Sequence, residues 1–347
     1  MATVGSHSRT LAAIASDAGV SVSAVSKVLN GRTDVAPNTR ARVARLLRQH
    51  GYQVASQIGF GVVDLLIGSL HSPWSEELIR GAVEAAAEAD TSVIVTTVTS
   101  PGEFSRWLDR ATHRGTGGAM CVLHLPGDRH LQRLSAARIP VVLIDPAEEP
   151  AAGIRSVGTT NWQGGVLATR HLVELGHQRI AVIGQDGVWS GRARLAGYRE
   201  AMMAAGLGLD DQLVRLDEFS AAGGREQARR LLALPEPPTA IVAGSDAQAF
   251  GVLQAAAERG LRAPDDLSVI GFDDVPVATW ASPALTTIRQ PLAAMSAAAF
   301  RMLRGSPAAV PPGQARTAHT DAEPQHIELA TSLVVRDSTA PPPSRST

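Results

Sequence analysis

From Val62 onward the sequence alternates short apolar runs with longer stretches of helical period, and few folds accept that rhythm. The runs Val62–Ser69, Ser92–Thr97, Ala119–Leu123 and Val141–Asp145 read as strands. After a connecting segment come Ile180–Gly184, Leu213–Leu216, Ala240–Ala243 and Leu267–Phe272. Between them Glu76–Ala89, Glu103–Arg114, Gly165–Leu175, Arg192–Ala205, Ala222–Leu234 and Ala247–Gly260 read as helices. Strand, helix and strand in succession require a crossover, which makes the sheets parallel and covers both faces. The break near residues 150–160 and a late strand at Ile327–Val335 predict two similar α/β lobes, with the chain passing between them.

The first sixty residues follow another pattern. Thr10 is placed to cap a helix whose apolar positions are Leu11, Ile14, Ala15 and Ala18. Gly19-Val20 makes a tight turn, Ser21 caps a second helix at Val22–Leu29, and Asn30-Gly31 ends it. Pro37 lies near the start of a third helix with Val43, Leu46 and Leu47 on its buried stripe, and Gly51 closes it. Two helices across a glycine turn form a helix-turn-helix, in which the first turn of the second helix meets the major groove. Val22, Ser23 and Ala24 hold those positions, with Ser26 and Lys27 one turn on. Ser and Lys can donate to phosphates or base edges, and Val22 and Ala24 suit thymine methyls. On periodicity alone, a three-helix bundle that binds protein stays open as the alternative.

Charge separates the two parts. Residues 1–58 hold seven basic side chains against Asp17 and Asp34, a balance of +5, so the rest must carry −6 to reach the net −1. A basic module on an acidic body suggests that only the first part meets a polyanion.

The run from Thr10 to Gly31, with Ala-Gly-Val-Ser at 18–21 and Val-Ser-Lys-Val-Leu-Asn at 25–30, resembles the headpiece of the lac and galactose repressor family. The similarity continues through Val35, Pro37, Thr39-Arg40, Val43 and Gly51-Tyr52. It implies that Val22 and Ser23 read bases, with Thr10, Leu11, Ser21, Ala24, Ser26, Lys27, Asn30 and Thr39 as further DNA contacts. One stretch departs from the family pattern, which places Pro-Asn and a leucine-bearing hinge helix after the Tyr. Only Gln53–Gly61 follows Tyr52, without Pro, Arg or Leu, and reads as a plain linker; Ile58 and Phe60 are its candidates for a minor-groove wedge.

In parallel α/β sheets ligands bind beyond the carboxyl ends of strands. Four of the five tryptophans fall in such loops or connections (Trp74, Trp162, Trp189 and Trp280), whereas Trp107 lies on a helix. Several have neighbours suited to polyols, namely Asp145, Arg192, Arg194, Asp246 and Asp273: carboxylate and guanidinium pair with hydroxyls, and an indole covers a C–H face. The resemblance extends over this region through Gly158–Gly165, Leu175–Ala181, Arg192–Tyr198, Gly244-Ser-Asp246, Ser268–Asp274 and Leu285–Pro291. It implies a two-lobed, periplasmic-binding-protein-like effector domain. Arg194 and Asp273 then hold the effector, and Asp145, Ser245 and Gln290 are further cleft positions; Trp74 and Trp162 complete the candidate set. The family's usual Asn before Asp246 is Ser245, and Thr160 stands where Asp is frequent.

Other classes have weaker support. Gly115-Thr-Gly-Gly118 lacks the third glycine of a dinucleotide loop, and Gly187-Val-Trp-Ser-Gly191 has the wrong spacing for a nucleophile elbow. The ten histidines are scattered, so neither a metal, a cofactor nor an enzyme is expected. The single Cys121 suits a reducing cytoplasm. No secretion signal or membrane span is evident, which weighs against an exported protein; a sugar-binding protein without regulatory DNA binding, exported or cytoplasmic, is the alternative reading. The expected organisation is a DNA-binding headpiece over 1–58, an effector and dimerisation domain over 59–337, and a mobile Pro/Ser-rich tail over 338–347, with Ser306–Gln325 mobile too. The partners expected are a two-fold symmetric DNA operator, a small sugar effector and a second copy of the chain, as a dimer or a higher oligomer. Whether the effector is a sugar or another ligand stays open on the residues. With Lys27 on a phosphate, Lys27→Ala should weaken binding to all sequences alike and lower the slope of log affinity against log salt by about one, as read in a titration across salt concentrations.

Overall fold

The structure, a computed structural model, describes residues 10–29, 35–50, 52, 61–123, 127–150, 153–305 and 326–343. Asn30, the linker at 53–60 and the stretch 306–325 lie outside these. Among the described residues no single helix is long and apolar enough to cross a membrane.

Three helices open the chain: α1 (Leu11–Ala18), α2 (Val22–Leu29) and α3 (Pro37–Gln49). Thr10 caps α1 through its hydroxyl, which accepts from the Ala13 N–H. Gly19 then turns the chain in the left-handed region at φ 62°, where a Cβ would be strained. Ser21 Oγ accepts from the Ala24 N–H at 3.1 Å and starts α2, which leaves α1 at 106°. Ile14, Ala15, Ala18, Val25, Val28, Val43 and Leu47 interlock at the centre. That core fixes which face of α2 is left outside.

The remainder forms two α/β lobes. In the first, β1 (Val62–Ile67), β2 (Ser92–Thr97), β3 (Ala119–Val122), β4 (Val141–Ile144), β5 (Arg155–Thr159) and β11 (His326–Leu329) make a parallel sheet in the order β11-β5-β4-β3-β1-β2. The second contains β6 (Ile180–Gly184), β7 (Val214–Leu216), β8 (Ala240–Ala243), β9 (Ser268–Asp273), β10 (Thr286–Arg289) and β12 (Ser332–Val334), ordered β12-β10-β9-β8-β6-β7. Among the described strands only β12 runs antiparallel to its neighbour.

Several expectations need correction. The late strand at Ile327–Val335 is two short strands in different lobes, β11 and β12. The chain changes lobe between them because Thr331 is held by Thr160: its N–H donates to Thr160 Oγ1 at 3.0 Å and its hydroxyl to the Thr160 carbonyl at 3.2 Å. The break near 150–160 contains a strand, β5. Two helices, α6 (Asp128–Ala136) and α11 (Leu292–Arg304), lie where none was expected. The tail reading fails over residues 338–343. Ser338 is fully buried; its hydroxyl donates to the Val269 carbonyl at 2.6 Å and accepts from the Thr286 N–H at 2.8 Å. These bonds bind the tail along β9 and β10 despite its disorder-like composition.

The chain passes between lobes at Thr160, near Gln290 and at Ala330, and the crossings are tied to one another. Thr159 Oγ1 donates to Gln290 Oε1 at 2.8 Å, and the Thr160 N–H donates to the Leu329 carbonyl at 3.0 Å. After the first crossing, α7 (Asn161–Glu174) packs on α8 (Trp189–Ala204) at very short range. A Cβ at Gly165 would run into the Arg194 carbonyl oxygen, and one at Gly197 into that of Trp162. Gly165→Ala is therefore expected to lower stability by about 1–3 kcal/mol, despite the better helix propensity of Ala, as a reduced midpoint in urea unfolding.

Candidate functional site

On the headpiece, the surface that the core leaves free is the first turn of α2. Ser21, Val22 and Ser23 are exposed, and Val22 keeps 47% of its surface. Ala24, Ser26 and Lys27 are half-exposed beside them, as is Thr39 on α3, while Arg42 and Arg45 are exposed. Thr10 is exposed, and Leu11 is half-buried against the core. Thr10 and Ser21 have structural work as helix caps, which also points their hydroxyls toward helix starts.

Between the lobes lies a cavity of about 290 Å³. Its walls are built from segments that follow strands of both sheets: Ser69 after β1, Leu123 after β3, Asp145 after β4, Gln185 after β6, Ser245 after β8 and Asp273 ending β9. Three of these residues hold positive φ without being glycine: Leu123 at 65°, Asp145 at 47° and Asp273 at 129°. Such backbone strain gathers where a structure must aim side chains into a site.

Arg194 forms the inner wall and is almost entirely buried. Its Nε donates to Asn161 Oδ1 at 2.8 Å, and an Nη donates to the Gly244 carbonyl at 2.6 Å. Asp273 stands 3.9 Å away, and the guanidinium lies 3.8 Å above the centre of the Phe272 ring. Loss of water on burial pulls the arginine's pKa down, while Asp273, Asp145 and Asp246 oppose that. Burial likewise pushes Asp273 up to about 7, against Arg194 and the amide of Gln290, which donates to Asp273 Oδ1 at 2.6 Å. Burial also raises Asp145, with Arg194 and Asn161 acting against it.

The structure brings some of the residues named from the sequence together and separates others. Trp74, Asp145, Arg194, Ser245 and Asp273 meet at the cavity. Gln290 does not line it, but links Thr159 to Asp273 from behind. Asp246 lies out of reach, its carboxylate accepting from Thr287 Oγ1 and the Val275 N–H; Arg192 is exposed. Trp280 is 77% exposed and lines no cavity described. Trp162 belongs to a second cavity, of about 360 Å³, at the edge where the crossings run, together with Trp189. Trp74, Trp162 and Trp189 all sit in first helical turns and not in open loops. Missed were Phe219, Phe272 and Asn161. Phe219 had a readable signal, as an aromatic just beyond the end of a strand.

Asp273 carries a pH signature. Its pKa is higher folded than unfolded, so the stability linked to it is full below about pH 4 and is lost as pH rises through about 7. Asp273→Asn should therefore improve in stability relative to the parent from pH 5 to pH 8, measured by urea unfolding at both values.

The comparisons agree with this geometry. Residues 10–54 match the model for bacterial regulatory proteins of the lacI family, and residues 169–339 the periplasmic binding protein-like domain. The HTH-type transcriptional regulator DegA of Bacillus subtilis is 31% identical over 94% of this chain and 97% of its own length. The HTH-type transcriptional repressor PurR of Klebsiella pneumoniae is 32% identical over 96% of this chain and 98% of its own. Among solved structures, the transcriptional regulator CelR–cellobiose complex superimposes with a TM-score of 0.70 at 31% identity, covering 95% of this chain and 99% of that one. The lac repressor dimer bound to operator and the anti-inducer ONPF gives 0.70 at 26% identity, covering 96% and 99%. With the headpiece matched and relatives 31% and 32% identical along nearly its whole length, the chain belongs to the lacI family of bacterial regulatory proteins.

Proposed function

We propose that this chain is a transcriptional repressor that grips a two-fold symmetric operator as a homodimer and releases it when a neutral sugar fills the cavity between its lobes. The observation that carries the reading is the buried Arg194–Asp273 pair at the inner wall of that cavity. A guanidinium offers donors and a carboxylate acceptors at short range, which is what adjacent hydroxyls of a sugar require. Ser69, Ser72, Gln185, Ser190 and Ser245 add neutral polar groups, and Trp74 and Phe219 add faces for C–H bonds. A purely apolar ligand would leave these groups unpaired at a cost of about 1–3 kcal/mol each. The cellobiose held by one relative and the operator-bound dimer of another support the same reading.

The headpiece supplies the DNA end. A single short reading helix spans few base pairs, so pairing two of them about a two-fold axis gives the length and affinity that specific binding needs. Val22 and Ser23 are the proposed base readers, with Ala24, Ser26 and Lys27 beside them. Effector binding is coupled to the operator by about 1–3 kcal/mol.

Selection of bound fragments from the source genome, with and without a panel of sugars, tests the whole scheme. The expected result is one palindromic site whose recovery is lost with a particular sugar. Binding to no site above bulk DNA would refute the regulator reading, and a site indifferent to every sugar would refute the effector. Arg194→Lys should keep operator binding and lose the sugar response, because an ammonium cannot reproduce the forked hydrogen bonds.

A further inference from the structure

The cavity at the crossing edge has Asp145 and Ser190 in common with the effector cleft, and the rest of its wall, Trp162 included, is not used by the proposed effector contacts. Its walls come from both lobes: Asp145, His326 and Glu328 from the first, and Trp162, Trp189 and Ser190 from the second. We propose that it is a second ligand site, for a neutral hydroxylated ring such as a sugar or cyclitol, and that its occupancy is felt in the effector cleft.

Aromatic surface is the first argument. Trp162 keeps 50% of its surface although it lies in a concave wall, so the fold itself leaves this indole uncovered. Trp189 is held as a fixed plate by stacking on His326, centroids 5.9 Å apart. Such faces suit the C–H side of a pyranose or cyclohexane ring. Charge narrows the class further. Glu328 and Asp145 contribute carboxyl groups, no Lys or Arg is among the described lining residues, and His326 stands 3.7 Å from Glu328, so a phosphate ester or carboxylate would face acidic groups with no permanent cation beside it. Both α7 and α8 begin at this wall, and neither first turn has a side-chain cap. Backbone donors beside carboxyl acceptors match hydroxyl groups, which both donate and accept.

The two cavities are neighbours. Asp145 and Ser190 line both of them. Asn161, on the wall of the second, accepts from the Nε of Arg194, on the wall of the first, at 2.8 Å. A ligand that recruits Asn161 or Asp145 therefore changes the footing of Arg194. At this same edge the Trp189 N–H donates to the Ala147 carbonyl at 2.6 Å, across the lobes. An occupant touching both sides would hold the lobes at one angle.

The test is ligand-observed saturation-transfer NMR on the full-length protein with glucose, ribose, cellobiose and myo-inositol, each alone, and glucose 6-phosphate as the anionic control. It compares the parent with Arg194→Lys, Trp162→Ala and the double variant. At least one neutral ring should still bind the Arg194→Lys protein, with affinity falling about tenfold or more when Trp162→Ala is added. Trp162 is half-exposed, so its removal spares the fold. Loss of every neutral ring on Arg194→Lys would overturn the second site, as would residual binding indifferent to Trp162→Ala. Binding of glucose 6-phosphate to the Arg194→Lys protein, lost with Trp162→Ala, would overturn the ligand class. If Arg194→Lys changes nothing while Trp162→Ala abolishes all binding, the second site stands and the effector reading falls. Finally, saturating the second site in the parent should shift the effector's Kd at least about threefold; an unchanged Kd would overturn the coupling.

Discussion

A buried guanidinium is the constraint on which the cleft depends. Taking Arg194 out of water is costly, and the structure offsets that with groups from several separate elements. Asn161 comes from the first lobe crossing, Gly244 from the end of β8, and Phe272 and Asp273 from the end of β9. Each must be in place for the charge to be tolerated, so the arginine acts as a gauge for the assembly of the second lobe. The missing Cβ atoms of Gly165 and Gly197 complete the arrangement, since they set how closely α8 approaches α7 and hence where Arg194 emerges.

The same groups connect ligand to lobe geometry. Gln290, at one crossing, accepts from Thr159 at another and donates to Asp273 in the cleft. One side chain thus belongs both to the joint between lobes and to the support of the ligand wall. Thr160 and Thr331 tie the first crossing to the third in a similar way. With three strands of chain bonded side by side, relative motion of the lobes is confined to a hinge and cannot be a free swivel.

Much of this was legible in the sequence where burial imposes a simple period. Val62–Ile67 and Ile180–Gly184 are inner strands covered on both faces, so they are apolar but for Asp64, whose carboxylate Arg114 pairs, and are easily seen. Arg155–Thr159 and Thr286–Arg289 are mostly polar and escaped notice, because their hydroxyls serve contacts at the crossings and the tail. Helix α11 was hidden for the opposite reason: packed against the first sheet and α4 (Pro73–Ala87), it buries most of its surface and shows little polar face. Ser338 misled since a serine hydroxyl between two backbone partners looks, in sequence, like any linker serine. Trp74 and Trp162 carry equal sequence signals. Only the fold tells that one reaches the cleft and the other the crossing edge.

The chain's return to the first lobe after building the second bears on how it is made. As the polypeptide leaves the ribosome, β1 to β5 emerge early, yet the outer strand β11 and the covering helix α11 follow only after β6 to β10 of the second lobe. Leu78, Ala82 and Met120 wait for Leu292, Met295 and Phe300 to cover them. The second lobe must wait too, for β12 and for Ser338. Neither lobe can finish before β11, β12 and Ser338 have emerged, so a nascent chain carries open apolar surface while both lobes are being made. In that interval the exposed apolar surface invites aggregation in a way the finished fold does not.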